Sequence, residues 1–102
     1  MVDKFIENGF KRYNEKCIFR PHASFLLQKR IENDKNETKY FINVYVYDIT
    51  KNQKSFEFEC EIIFYKNDKP FTIIFKVTNP EESEIIAEEF FSNMKMDLDP
   101  NN

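Results

Sequence analysis

Glycine is nearly absent: Gly9 is the single one in 102 residues. Phosphate-cradling loops, dinucleotide fingerprints and nucleophile elbows need glycine where the backbone turns tightly or meets a ligand, so one glycine excludes them. Tryptophan is missing, histidine occurs once as His22, and cysteine twice, at Cys17 and Cys60. One histidine and two distant cysteines do not make a four-ligand zinc site, and His22 has no obvious nucleophile partner in sequence. No metal, cofactor or catalytic residue is therefore expected. Nor does any apolar run approach the roughly 18 residues that span a bilayer. The first residues, MVDKFIENGF, carry Asp3 and Glu7 where a secretory signal has a basic start and an apolar run, so a cytoplasmic protein with reduced thiols is the expectation.

What is abundant is aromatic and charged. Phe occurs 12 times and Tyr 5, hydrophobic residues make up 41% and charged residues 32%, enough for a core and against intrinsic disorder. The length suits one domain, read as residues 1–96 followed by a flexible acidic tail, 97–102. Net charge is −3, unevenly spread: residues 1–40 hold nine Lys/Arg against six Asp/Glu, residues 79–102 one against seven. A negative total speaks against tight nucleic-acid binding, which draws its non-specific affinity from clustered Lys and Arg.

Val2, Phe5, Ile6, Phe10 and Tyr13 recur at helical spacing, which predicts an amphipathic helix over 2–15. Glycine inside a helix costs about 1 kcal/mol relative to Ala, so Gly9 marks a kink or a close approach to a strand. From Cys17 the period becomes two: Cys17, Phe19, Ala23, Phe25, Leu27 and Ile31 share one face, and Arg20, His22, Ser24, Gln28 and Arg30 the other. Pro21 places this strand at a sheet edge or delays its regular pairing. Tyr40, Ile42, Val44 and Val46 alternate with Phe41, Asn43, Tyr45 and Tyr47. Phe56, Phe58, Cys60, Ile62 and Phe64 alternate with Glu57, Glu59 and Glu61, and after a turn at Lys66-Asn67-Asp68-Lys69 a fourth strand covers 71–78. Asn79-Pro80-Glu81-Glu82 starts a helix, capped by Asn79 with Pro80 at its first position and acids at its positive end.

The order predicts an α+β, two-layer domain: a helix, a four-stranded antiparallel meander and a helix, with both helices on one sheet face. The other face is expected to be open, with four strips: Arg20, His22, Gln28 and Arg30; Phe41, Tyr45 and Tyr47; Glu57, Glu59 and Glu61; Ile74 and Lys76. An aromatic strip between basic and acidic ones suits a protein partner of mixed charge, because aromatic and Arg side chains concentrate at interfaces. A second candidate surface is the polar side of the last helix, with Glu81, Glu82, Glu84, Glu88 and Glu89, which would steer toward a basic partner. The apolar strand 71–78, guarded only by Lys76, is a candidate edge for homodimerisation or strand addition.

These features favour a non-enzymatic protein-binding domain that acts as an inhibitor or adaptor by occupying a partner's surface. In size, acidity and lack of motifs the chain is similar to small mobile-element or phage proteins that block host defence nucleases, and to toxin-neutralising immunity proteins. Two rivals stand beside this expectation. A small apolar-ligand carrier would hold its ligand between sheet and helices, and a weak single-stranded RNA-binding module would stack bases on the aromatic strip. The element order is also similar in outline to double-stranded RNA-binding domains. Those present lysines where this chain reads Pro80-Glu81-Glu82-Ser83-Glu84, which excludes the likeness.

Overall fold

A computed structural model describes residues 2–14, 20–48 and 56–101. The elements are α1 (Val2–Glu7), β1 (Lys11–Tyr13), β2 (Phe25–Glu32), β3 (Thr38–Asp48), β4 (Phe56–Lys66), β5 (Lys69–Lys76) and α2 (Pro80–Asn93). All five strands form one antiparallel sheet in the order β1-β2-β3-β4-β5. The class is α+β, with one strand more than the periodicity predicted.

The extra strand comes from the expected helix over 2–15, which stops at Glu7. Gly9 takes φ +93°, its N–H bonds to the Ile6 carbonyl at 3.0 Å, and the Phe10 N–H bonds to the Phe5 carbonyl at 3.0 Å. This is a Schellman ending, and its apolar clasp is the edge-to-face pair Phe5–Phe10 with ring centroids 5.2 Å apart. Past that turn, Lys11–Tyr13 leaves helical geometry and pairs with Leu26–Gln28. The strand expected from Cys17 begins at Phe25, after Pro21; Cys17 and Phe19 lie outside the described residues.

With so little glycine, the left-handed turn positions fall to other residues. Asn36 (φ 62°) closes the β2–β3 hairpin, Asn67 and Asp68 (φ 52° and 64°) form the two-residue β4–β5 turn, and Lys95 (φ 50°) ends α2. Two successive positive φ values define the mirror-image turn that matches strand twist. Asn33 steadies the first hairpin by accepting from the Lys35 and Glu37 N–H groups through Oδ1, both at 2.9 Å. Lys95 repeats the role of Gly9: its N–H reaches the Ser92 carbonyl, the Met96 N–H reaches the Phe91 carbonyl, and Met96 is buried.

One face of the sheet forms the core. Phe25 and Leu27, Tyr40 to Val46 at alternate positions, and Phe58, Cys60, Ile62 and Phe64 are buried there, each large apolar side chain contributing about 1.5–3 kcal/mol. Phe5 packs on Phe58, and Phe90 and Phe91 of α2 pack on Phe64 and Tyr40, so both helices cover this same face. At the start of α2, the Glu82 N–H donates to Asn79 Oδ1 at 2.8 Å, with Pro80 in the first turn.

The chain after α2 is tied to the sheet. Pairing of β3 with β4 runs from Asp48·Phe56 only as far as Ile42·Ile62, and beyond that point the next segment enters between the two strands. The Asp97 N–H donates to the Tyr65 carbonyl at 2.7 Å, the Asp99 N–H to the Thr38 carbonyl at 3.0 Å, and the Asn67 N–H to Asp97 Oδ2 at 2.8 Å. A frayed acidic tail was the expectation from composition; backbone groups at both splayed strands give residues 97–99 partners instead.

Candidate binding face

The register places the outer-face side chains in rows across the sheet. One row reads Tyr13, Leu26, Tyr45, Glu59, Lys76, and the next reads Lys11, Gln28, Asn43, Glu61, Ile74. Arg30 stands beside Phe41 one row further on. The two helices lie on the opposite face, and no helix of the described residues crosses this one.

Arg20, Tyr45, Tyr47, Glu59 and Glu61 are brought together, and they bind one another. Arg20 donates from Nε to Glu59 Oε1 at 2.8 Å and from Nη2 to Glu61 Oε2 at 3.1 Å, with its guanidinium 5.4 Å from the Tyr45 ring centroid. The Tyr45 hydroxyl donates to Glu61 at 3.2 Å and the Tyr47 hydroxyl to Glu59 at 3.4 Å. The hydrogen bond to Glu59 and the two carboxylate charges raise the Arg20 pKa and keep the cation in place. Tyr45 is buried. The basic and acidic strips therefore neutralise each other here, and the network stiffens this end of the face.

Arg30 lies apart from that network. It bonds to Thr38 Oγ1, to Glu32 at 3.0 Å and to the Asn36 carbonyl at 3.1 Å, bracing the β2–β3 hairpin. Glu57 meets Lys76 at 3.5 Å with both side chains exposed, a pair worth little.

Toward β1 the face exposes two aromatic side chains. Tyr13 is 41% and Phe41 36% exposed, and between them the Gln28 amide donates to Asn43 Oδ1 at 2.7 Å. A hollow of about 370 Å³ opens among Gly9, Lys11, Tyr13, Gln28, Arg30 and Phe41, where β1, only three residues long, pairs with no more of β2 than Leu26–Gln28. On the other side of Phe41 a smaller hollow of about 90 Å³ is bounded by Asn43, Ile63, Tyr65 and Asp99, where β3 and β4 splay. Phe41 thus forms a ridge between two depressions. Lys11 and Tyr13 escaped the sequence reading because it placed them on a helix; Gly9 as a helix terminator was the signal for them.

Three of the five glutamates proposed on the last helix have partners inside the domain. Glu82 accepts from the Thr78 hydroxyl at 2.9 Å, Glu84 pairs with Lys29, and Glu88 holds Lys39 at 2.7 Å and the Tyr40 hydroxyl at 2.8 Å. Burial raises the Glu88 pKa, but the hydrogen bonds from Lys39 and Tyr40 and the Lys39 charge outweigh it and hold this carboxyl below its ordinary value. Burial and the bond to Glu88 push the Tyr40 phenol far above its usual 10. Glu81 and Glu89 point outward on either side of Ile85, which is 58% exposed. Cys60 is free and buried, and burial first, then the Glu61 charge, pushes its thiol up to about 12, which leaves it unreactive.

No helix of the described residues is long and apolar enough to cross a membrane. No protein-family model matches the chain, and no curated protein or solved structure is significantly similar to it.

Proposed function

We propose that the chain is a non-enzymatic protein-binding domain, an inhibitor or adaptor, whose contact with its partner is centred on Tyr13 and Phe41 of the outer sheet face. The observation that carries this reading is the Phe41 ridge between two hollows, with exposed Tyr13 and Lys11 beside it, on a sheet face that no helix of the described residues covers. Aromatic anchors set among fixed polar groups are the usual energetic centre of a protein interface. The Gln28–Asn43 bond and the Arg20–Glu59–Glu61 network hold the polar surroundings in one arrangement, so little side-chain entropy is lost on docking. Arg20, Tyr45 and Tyr47 serve the contact as a rigid flank, with Tyr13 and Phe41 as its centre.

The test is affinity capture from a cytoplasmic extract with the wild-type chain and with a Tyr13→Ser, Phe41→Ser double variant, after thermal melting has shown both to be folded. Loss of one stoichiometric protein partner in the variant supports the assignment. Recovery of no protein, or equal recovery by both chains, contradicts it.

A further inference from the structure

Among the described residues no strand pairs with the outer edge of β5, and that edge leads to an inference that goes beyond the proposed partner face. The two-residue turn at Asn67-Asp68 makes Lys66 and Lys69 a hydrogen-bonded pair, and the Val77 N–H donates to the Phe58 carbonyl at 3.2 Å at the far end. In an antiparallel ladder this parity turns the backbone groups of residues 69, 71, 73, 75 and 77 toward β4, and those of 70, 72, 74 and 76 outward. Pro70 has no N–H, so the edge offers three donors, on Thr72, Ile74 and Lys76, and that set is symmetric about Ile74.

We propose that β5 pairs antiparallel with β5 of a second copy about a two-fold axis at Ile74, extending the sheet from five strands to ten. In this register Ile74 faces Ile74 of the other copy and Thr72 faces Lys76, so all three donors and three acceptors on each chain are used in reciprocal pairs. Charge is compatible with a second copy. Lys76 meets a threonine, never a like charge, and its own counter-ion Glu57 stays beside it at 3.5 Å. The pairing also covers side chains that the monomer leaves exposed: Ile74 is 53% and Phe71 47% exposed, and α2 packs chiefly over β3 and β4. A two-fold perpendicular to the sheet puts both α2 helices on the same side. Four strand spacings of about 4.8 Å separate them by roughly 19 Å, clear of the 8–10 Å at which helices touch.

A five-residue window is small beside the about 20–30 residues a side of a standard interface, so association is weak and appears only at high concentration. Sedimentation equilibrium from about 10 µM to about 1 mM should show a monomer passing to a dimer within that range. Ile74→Lys places two cations opposite each other on an exposed site and should weaken association at least about tenfold while the melting temperature of dilute protein is unchanged. For the register, Ile74→Cys in a Cys17→Ser background should form a disulfide-linked dimer on mild oxidation, since opposed Cα atoms in a hydrogen-bonded pair lie about 5.5 Å apart. Thr72→Cys in the same background should not. A monomer throughout the range, a dimer indifferent to Ile74→Lys, or cross-linking at residue 72 in preference to 74 would each overturn the proposal.

Discussion

Gly9 and Lys95 hold the same place at the ends of α1 and α2, which makes a paired substitution a sharp probe of the backbone argument. An L-residue in the left-handed region costs roughly 1–2 kcal/mol, whereas glycine adopts it freely but loses more chain entropy on folding. In Gly9→Ala a Cβ would sit 3.5 Å from Lys29 Cε, an ordinary contact, so the whole cost is conformational at φ +93°. Subtracting the roughly 0.4–1 kcal/mol gained by stiffening the unfolded chain leaves a loss of about 1 kcal/mol. Lys95→Gly reverses the exchange at φ 50°, gaining the strain back against chain entropy and a small loss of positive charge at the helix C-terminus, for a net gain of about 0.5 kcal/mol. Urea denaturation at pH 7 measures both, and thermal melting should show a fall of about 4–8 °C for Gly9→Ala. A neutral Gly9→Ala, or a Lys95→Gly that loses stability, would refute the claim that both helices end on a residue held in the left-handed region, strained at Lys95 and unstrained at Gly9.

Two further predictions concern the contacts that hold α2 and the final segment to the sheet. Tyr40→Phe should cost about 1 kcal/mol at pH 7, below the usual 1.5–3 kcal/mol for a charged hydrogen bond, because Glu88 keeps Lys39 and stays 48% exposed. The raised phenol pKa means that the unfolded chain ionises first, so wild-type stability falls as pH climbs above about 10 and Tyr40→Phe removes part of that fall. The lowered Glu88 pKa works in the opposite range: its contribution is present above the ordinary carboxyl value and is lost as pH drops through the folded value, a slope that Glu88→Gln flattens in pH-dependent urea titrations. Ending the chain after Met96 removes the bonds of Asp97 to Tyr65 and Asn67 and of Asp99 to Thr38, and should cost roughly 1–3 kcal/mol, where loss of a frayed tail would cost nothing measurable.

The core strands were legible because their side chains alternate: the run from Phe56 to Phe64, with glutamates between, fixes one inward face without help from the rest of the chain. Asn79-Pro80-Glu81-Glu82 was equally legible as a helix start, since cap and first-turn chemistry are local. The first fifteen residues were not, because Phe5, Phe10 and Tyr13 fit a helical stripe while serving a helix, a clasp and a strand in turn. Only the backbone demand at Gly9 separates these roles. Tail composition misled for a related reason: Asp97 and Asp99 reach Tyr65 and Thr38 through their N–H groups, which every residue but proline carries, and the Asp97 carboxylate adds a side-chain bond by accepting from the Asn67 N–H. The strands of the meander follow one another as expected, but Arg20 precedes β2, and strand register alone could not say that it would close on Glu59 and Glu61 of β4 and leave Phe41 and Tyr13 exposed.

Site-specific photo-cross-linking tests the partner face most directly. A benzophenone amino acid placed at position 41 should trap one protein partner in a cytoplasmic extract, whereas the same group at position 85, on the outward side of α2, should trap none in comparable yield. Cross-links of equal yield at both positions, or at position 85 alone, would contradict a contact centred on Phe41.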